Sequence, residues 1–377
     1  MKATTSRKPR SKSPSRSSRA VLFTGFPGFI GARLIPRLLE LQPDTDFVCL
    51  VQEKFLPAAR KSVEEMASAH PGTKGRLELV AGDITLPGLG LADEESGRLL
   101  KRLTGCHHLA AIYDLAVSRE LGLRVNVEGT RNVVGFLKDC PKLERFDYVS
   151  TAYVSGTAVG VYRETDLDVG QRFKNFYEET KFLAEIEVAE SGLPSAIYRP
   201  GIVVGDSATG VTAKFDGPYF SLNAMRLLPS PGVFMKVGTG EAPVNLVPVD
   251  FVLEAIARLS TWPGAIGKTY NLTDPKPLTA FQIEELFAHA LGKSFIYVPI
   301  PLPVAKLIFA PPPVEKWFGM PSQTLDYFDH VVMYDCTQAT KDLARFGVKC
   351  PSFTDYAQRL VGFYLKHVGE ISGGAMA

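Results

Sequence analysis

The chain has no metal-binding signature. Its five cysteines (Cys49, Cys106, Cys140, Cys336 and Cys350) are scattered, with no C-x-x-C pair, and its six histidines show no ligand spacing. An odd, dispersed set of thiols excludes a disulfide framework and points to a reducing, cytoplasmic setting. No run approaches the ~18 apolar residues that a bilayer-spanning helix needs. The nearest, Val304 to Ala310, is short and closed by Pro303 and Pro311. Charge of one sign is also scarce, at a formal net of +2 over 377 residues. Much of that excess sits in Met1 to Arg19, which holds Lys2, Arg7, Lys8, Arg10, Lys12, Arg16 and Arg19 and no acidic residue. This Ser/Pro-rich stretch cannot bury a core and reads as a disordered tail over 1–19. A tether for nucleic acid or anionic membrane, or a targeting peptide, is the alternative. The remainder is nearly neutral, which excludes a nucleic-acid surface.

What remains is 45% hydrophobic and 22% charged, an ordinary globular composition. Ala20-Val21-Leu22-Phe23-Thr24 is a short apolar run ending at Gly25, a buried parallel strand. Ile30 to Leu41 follows at helical spacing, with Pro36 tolerated near the helix start. Phe47 to Val51, Leu77 to Val80, His107 to Ala111, Phe146 to Thr151 and Ala196 to Pro200 read as five more strands. Val125 to Leu137 reads as a helix, as does a segment containing Phe176 and running to about Ser191, stopped by Gly192 and Pro194. This alternation predicts an α/β, Rossmann-like, doubly wound parallel sheet over 20–205. Ligands in such sheets bind beyond the carboxyl ends of the strands, where Gly25, Thr151 and Arg199-Pro200 would all fall.

After Gly205 the texture changes. Asp206 to Leu246 is rich in glycine, proline and aromatics, and Pro301 to Phe318 is apolar and punctuated by prolines. Asp250 to Leu259, Phe281 to Leu291 and Phe353 to His367 read as helices, and Lys268 to Leu272 as a strand. Residues 206–377 are expected to form a smaller, mostly helical substrate lobe, with part of the chain near 245–260 returning to the nucleotide lobe. Phe215, Tyr219 and Phe220 would either line an acyl or sterol pocket there or simply pack the lobe.

Two constellations carry chemistry. Tyr177 and Lys181 lie four residues apart, so on a helix they share a face. A phenol titrates near ~10 and is a poor acid–base group at neutral pH. A neighbouring cation favours the phenolate and would bring the group toward its working range. Gly25-x-x-Gly28-x-x-Gly31 sits between a strand and a helix, where glycines let backbone N–H groups approach a pyrophosphate at the positive helix end. The second strand ends in Gln52-Glu53-Lys54. Glu53 there speaks for NAD, whereas Lys54 and Arg33 speak for NADP. His107 and His108 are read as buried structural histidines, with catalysis as the alternative. Asp114 and Arg119 are assigned to a solvated loop.

Thr24 to Gly31 resembles the T-G-x-x-G-x-x-G opening of the extended short-chain dehydrogenase/reductase superfamily. Gly82-Asp83-Ile84, His108-Leu109-Ala110-Ala111, Asn126-Val127-Glu128-Gly129-Thr130, Ser150-Thr151-Ala152-Tyr153 and Tyr198-Arg199-Pro200-Gly201 resemble its later motifs in order. Val149-Ser150-Thr151-Ala152-Tyr153-Val154, the segment from Arg199 to Gly210, and Val247 to Val252 resemble fatty acyl-CoA reductases and thioester-reductase domains in particular. The resemblance implies a nicotinamide dinucleotide held by Thr24, Gly25, Gly28, Phe29, Ile30, Gly31, Gln52, Lys54, Asp83, Ile84, Ala110, Ala111, Tyr177, Lys181, Arg199, Pro200 and Ile202. It implies a catalytic set of Thr151, Tyr177, Lys181 and Asn126. The cofactor expected is NADPH, with NADH open, since the arginine usual in thioester reductases is replaced by Gln52. The implied substrate is a lipid-like molecule or an acyl thioester, bound to CoA or to an acyl carrier protein. A sterol or lipid-alcohol dehydrogenase, a sugar-nucleotide epimerase and a non-catalytic nucleotide-binding protein are the other readings. A homodimer paired through helices of the nucleotide lobe is also compatible.

Overall fold

A computed structural model describes residues 19–311 and 322–371. The basic tail up to residue 18 and the end of the proline-punctuated segment, from residue 312, lie outside the described residues. Arg19 already belongs to the first strand.

Among the described residues thirteen strands form: β1 (Arg19–Thr24), β2 (Thr45–Val51), β3 (Leu77–Ala81), β4 (Leu103–His108), β5 (Arg145–Val149), β6 (Gly160–Tyr162), β7 (Ser195–Pro200), β8 (Ile202–Val204), β9 (Gly232–Val237), β10 (Leu246–Pro248), β11 (Thr269–Leu272), β12 (Phe295–Ile300) and β13 (Val332–Tyr334). Seven of them make one parallel sheet in the order β11-β7-β5-β4-β1-β2-β3. Its central strands are buried on both faces, as crossover helices require. The order reverses between β1 and β4, which opens a crevice at their carboxyl ends. The α/β reading of the sequence is thus realised as a Rossmann-like sheet.

The helices are α1 (Phe29–Leu41), α2 (Leu56–Ala69), α3 (Asp93–Leu100), α4 (Arg119–Gly122), α5 (Gly129–Lys138), α6 (Phe176–Ala189), α7 (Tyr219–Leu227), α8 (Val249–Thr261), α9 (Ala280–Ala290), α10 (Leu302–Phe309), α11 (Thr337–Leu343) and α12 (Phe353–His367). A wide π turn, Leu123–Glu128, joins α4 to α5. The sequence pattern points instead to a plain helix from Val125. Helical spacing alone does not distinguish one wide turn from a plain helix, because a single inserted residue alters the pattern over only a few positions.

Two expectations are corrected. The fourth strand runs Leu103–His108, not His107 to Ala111. Leu109 and the residues after it already form the turn, and Thr24 holds that turn through the Leu109 and Ala110 amides. The strand expected near Lys268 to Leu272 does not belong to the second lobe: β11 is the outer strand of the main sheet, paired with β7. It belongs there because Tyr270 and Leu272 are fully buried against α8 and β7 in one hydrophobic core. The return to the sheet therefore spans 246–272, and α11 packs on it as well. A separate core of Phe215, Tyr219, Leu222, Phe287, Phe353 and Leu360 unites α7, α9 and α12.

Candidate active site

The glycine turn follows β1 directly. Gly25 has φ +89, and a Cβ there would stand 2.9 Å from the Ala110 nitrogen. A Cβ on Gly28 would meet the Gly25 carbonyl oxygen at 2.8 Å, and one on Gly31 at 2.7 Å. Only glycines allow the backbone to fold this tightly. Gly28 is the N-cap of α1 and supplies no side-chain cap, so the first-turn amides of Phe29 and Ile30 keep their donors for an anion. Those residues fit the pyrophosphate of a dinucleotide.

Behind the turn, hydroxyls and one histidine form an ordered chain. Thr24 Oγ1 accepts from two amides, so its own proton goes to His108 Nδ1 at 2.6 Å. His108 Nε2–H then donates to Thr130 Oγ1 at 3.0 Å, and Thr130 donates to the Asn126 carbonyl at 2.6 Å. Burial pushes the His108 imidazole down to about 3, in keeping with this neutral tautomer. His108 is structural here. His107 is buried too, 3.8 Å from Asp147, and its pKa is lowered by burial.

Across the crevice, Asn175 caps α6 by accepting from the Glu178 amide at 3.0 Å. Just inside that helix, Tyr177 is 8% exposed, its hydroxyl facing the Thr151 side chain just past the end of β5. Lys181 is 3% exposed, and its ammonium donates to the Tyr148 hydroxyl at 2.7 Å and to the Val149 carbonyl at 2.8 Å. Burial pulls it down to about 7, with Glu185 opposing. Thr151, Tyr177 and Lys181 are thus brought together at the carboxyl edge of the sheet.

Their electrostatics differ from expectation. Burial pushes the Tyr177 phenol up, and the nearby Thr151 hydroxyl only partly offsets this. The expected depression by Lys181 is absent because its ammonium is turned to Tyr148. Asn126 lies in the π turn, 1% exposed. Its Oδ1 accepts from the Ile112 amide at 2.9 Å and its Nδ2 donates to Thr180 Oγ1 at 3.0 Å. It clamps the turn after β4 to α6.

The other residues named from sequence fall into two groups. Gln52 donates to Asp83 at 2.9 Å at the ends of β2 and β3. Burial raises the Asp83 carboxyl, but the Thr85 amide and Gln52 outweigh it and hold the group low. Lys54 lies beside them over the Phe55 ring, and Ala110 and the exposed Ala111 lie at the mouth of the turn. Ile84, by contrast, is 7% exposed and packs on Gly129. The Arg199 side chain is 1% exposed and spent on Glu185 at 2.6 Å and the Asp166 carbonyl at 2.7 Å. Its guanidinium is therefore engaged inside the protein, where a buried cation needs its carboxylate. Pro200 ends β7, and Ile202 opens β8, paired with Leu246.

Sequence reasoning missed Tyr148, Tyr113 and Tyr327. Tyr113 meets the Tyr177 ring edge-on at 5.2 Å. Tyr327 donates to Glu178 at 2.7 Å and stacks edge-on with Tyr153 at 5.1 Å. Only Tyr148 left a signal, an aromatic near the end of β5, two residues before Ser150. Asp114 accepts from the Ala116 amide, and Arg119 pairs with Glu179 on the surface at 2.7 Å. Phe215 and Tyr219 pack against Tyr364 in the second core, whereas Phe220 lines a cavity.

Fold and site together define a Rossmann-like dinucleotide-binding protein, with a tyrosine and a lysine of one helix beside the glycine turn's crevice. Residues 23–256 match the male sterility protein family of NAD-binding domains, and the chain belongs to it. The terminal R domain from the myxalamid PKS-NRPS pathway superposes with a TM-score of 0.77 at 26% identity, over 95% of this chain and 93% of that one. A linear gramicidin synthase of Brevibacillus parabrevis is 28% identical over 74% of this chain and 6% of its own length. The fatty acyl-CoA reductase wat of Drosophila melanogaster is 26% identical over 65% of this chain and 54% of its own. The chain thus spans about half of that reductase and a small part of the synthase. Among the described residues no group of His, Cys, Asp and Glu could hold a metal, and no helix is long and apolar enough to cross a membrane.

Proposed function

We propose that the chain reduces an acyl thioester, carried by CoA or by an acyl carrier protein, to an aldehyde or alcohol with NADPH. NADH is the second candidate, because Gln52 stands where an arginine would grip a 2′-phosphate. The dinucleotide supplies the hydride. The Thr151 hydroxyl would donate to the substrate carbonyl oxygen, on which negative charge develops. Tyr177 would pass its proton to that oxygen, giving a hemithioacetal whose carbon–sulfur bond then breaks to release the CoA or carrier thiol and the aldehyde; a second hydride and proton would give the alcohol. Its raised pKa suits this direction, since the phenol is kept protonated at neutral pH. Lys181 would hold the ribose hydroxyls and, once charged, stabilise the phenolate left behind. Asn126 would act through position, by fixing α6 against the turn after β4.

The observation that carries this reading is the approach of the Tyr177 hydroxyl to the Thr151 side chain, with Lys181 one turn along at the sheet's carboxyl edge. Similarity to the myxalamid R domain and to a fatty acyl-CoA reductase supports the thioester as substrate class. Incubation with NADPH and a series of long-chain acyl-CoA and carrier-bound thioesters is expected to oxidise the cofactor and yield aldehyde or alcohol. No turnover across chain lengths and both carriers would overturn the thioester reading. The apolar cavity beside Phe220 favours a lipid alcohol as the next substrate to try, over a sugar nucleotide.

A further inference from the structure

The second lobe contains a cavity of about 140 Å³, walled by Phe220, Phe234, Met235, Phe309 and Phe328. That is close to the size that accepts one benzene-sized group, or the last few carbons of a chain. One ionisable side chain breaks the apolar wall. Glu284 on α9 lines the cavity and is 4% exposed. Among the described residues its carboxyl is met only by the longer-range attraction of Lys236. That ammonium is already engaged, with Glu241 at 3.6 Å and over the Phe281 ring at 4.2 Å. Burial pushes the Glu284 carboxyl up to about 8, so it is mostly protonated at neutral pH. The buried Tyr297 hydroxyl, which feels the Glu284 charge, also has no partner among the described residues.

Buried polar groups in folded proteins are nearly always paired, so one facing an apolar cavity asks for a ligand with a matching group. A protonated carboxyl both donates to and accepts from a hydroxyl. A ligand ammonium is disfavoured, since Lys236 already places positive charge nearby. The cavity is also tied to the reaction centre. Leu325 and Phe328 line it, and Tyr327 between them bonds Glu178 beside Tyr177.

We propose that this cavity receives the distal end of an apolar acyl chain and that Glu284 hydrogen-bonds a hydroxyl carried there. The preferred substrate is then a hydroxylated acyl thioester. The word acyl rests on the function proposed above; the cavity's preference for an apolar chain with a hydroxyl does not. Binding is therefore read without dinucleotide or turnover, by calorimetric titration of the full chain with ω-hydroxydodecanoate and with dodecanoate.

The wild type is expected to bind the hydroxy acid about tenfold more tightly, because a site built for a hydroxyl rejects the analogue lacking it. Glu284→Leu is expected to lose that preference while still binding dodecanoate, and Glu284→Gln to keep most of it. Ala224→Phe, which fills the cavity from α7, is expected to block both acids. Near-UV circular dichroism checks that each variant is folded. Equal affinities in the wild type, no binding of either acid, or an unchanged preference in Glu284→Leu would each overturn the proposal. Any of these leaves thioester reduction standing, and an enzyme without thioester turnover leaves the binding result standing.

Discussion

Tyr177 and Lys181 share one helix face but are held by different partners. The phenol faces Thr151, and the ammonium is turned to Tyr148 and Val149. If Tyr177 is the proton donor, Tyr177→Phe should cut turnover by about two to four orders of magnitude while dinucleotide affinity stays within a few-fold. Rates by cofactor oxidation and affinity by fluorescence titration check both halves; unchanged turnover removes Tyr177 from the mechanism. Lys181 carries a pH signature. Its folded pKa of about 7 lies below the ~10.4 of an unfolded lysine. Between those values the unfolded chain binds a proton that the fold does not, so this group's contribution to stability rises with pH. Urea unfolding of the wild type and Lys181→Met at pH 7 and pH 9 should show the wild type gaining on the variant at the higher pH. A gap independent of pH would refute the depressed pKa.

At the scale of elements, a short cap and a wide turn aim the site. Asn175 caps α6 and also donates to the Tyr327 hydroxyl at 2.9 Å. Asn175→Ala is expected to cost about 1 kcal/mol through the lost cap alone, more with the Tyr327 bond, and to lower kcat as the first turn of α6 loosens. Denaturant titration and steady-state rates test this; a neutral variant would mean that packing alone holds the turn. The elements themselves are largely readable, because β1, the glycine turn and α6 announce themselves by local pattern and by the Gly192 and Pro194 that stop the helix. The π turn at Leu123–Glu128 is not, since it changes the backbone over only 6 residues, too few for side-chain spacing to reveal. Tyr327 reaches Glu178 from 149 residues away, a contact that no local pattern encodes. Arg199 misleads for a related reason. Its motif fixes the turn that follows, while the partner of its side chain, Glu185, is chosen by burial.

At the scale of the molecule, the chain is interleaved. The nucleotide-side sheet draws β11 and α8 from beyond residue 245, and Arg37 of α1 bonds Glu254 of α8 at 2.6 Å. A chain ending at residue 205 would bare the edge of β7 and strip α8 from α1. It is expected to be recovered aggregated or without fixed tertiary packing, as near-UV circular dichroism and size-exclusion chromatography would show. A monomeric, cooperatively melting product would refute this. Local pattern shows the alternation of strands and helices but not the return of Thr269–Leu272, a segment of 4 residues too short to declare which sheet it joins.

The lateness of that last strand also bears on biogenesis. A ribosome delivers the glycine turn early, yet the sheet beneath it waits until residue 272 has left the exit tunnel. Through that interval the nascent chain offers an unprotected β7 margin to its surroundings, so slow translation across 206–268 would lengthen the window in which that margin can pair with another chain.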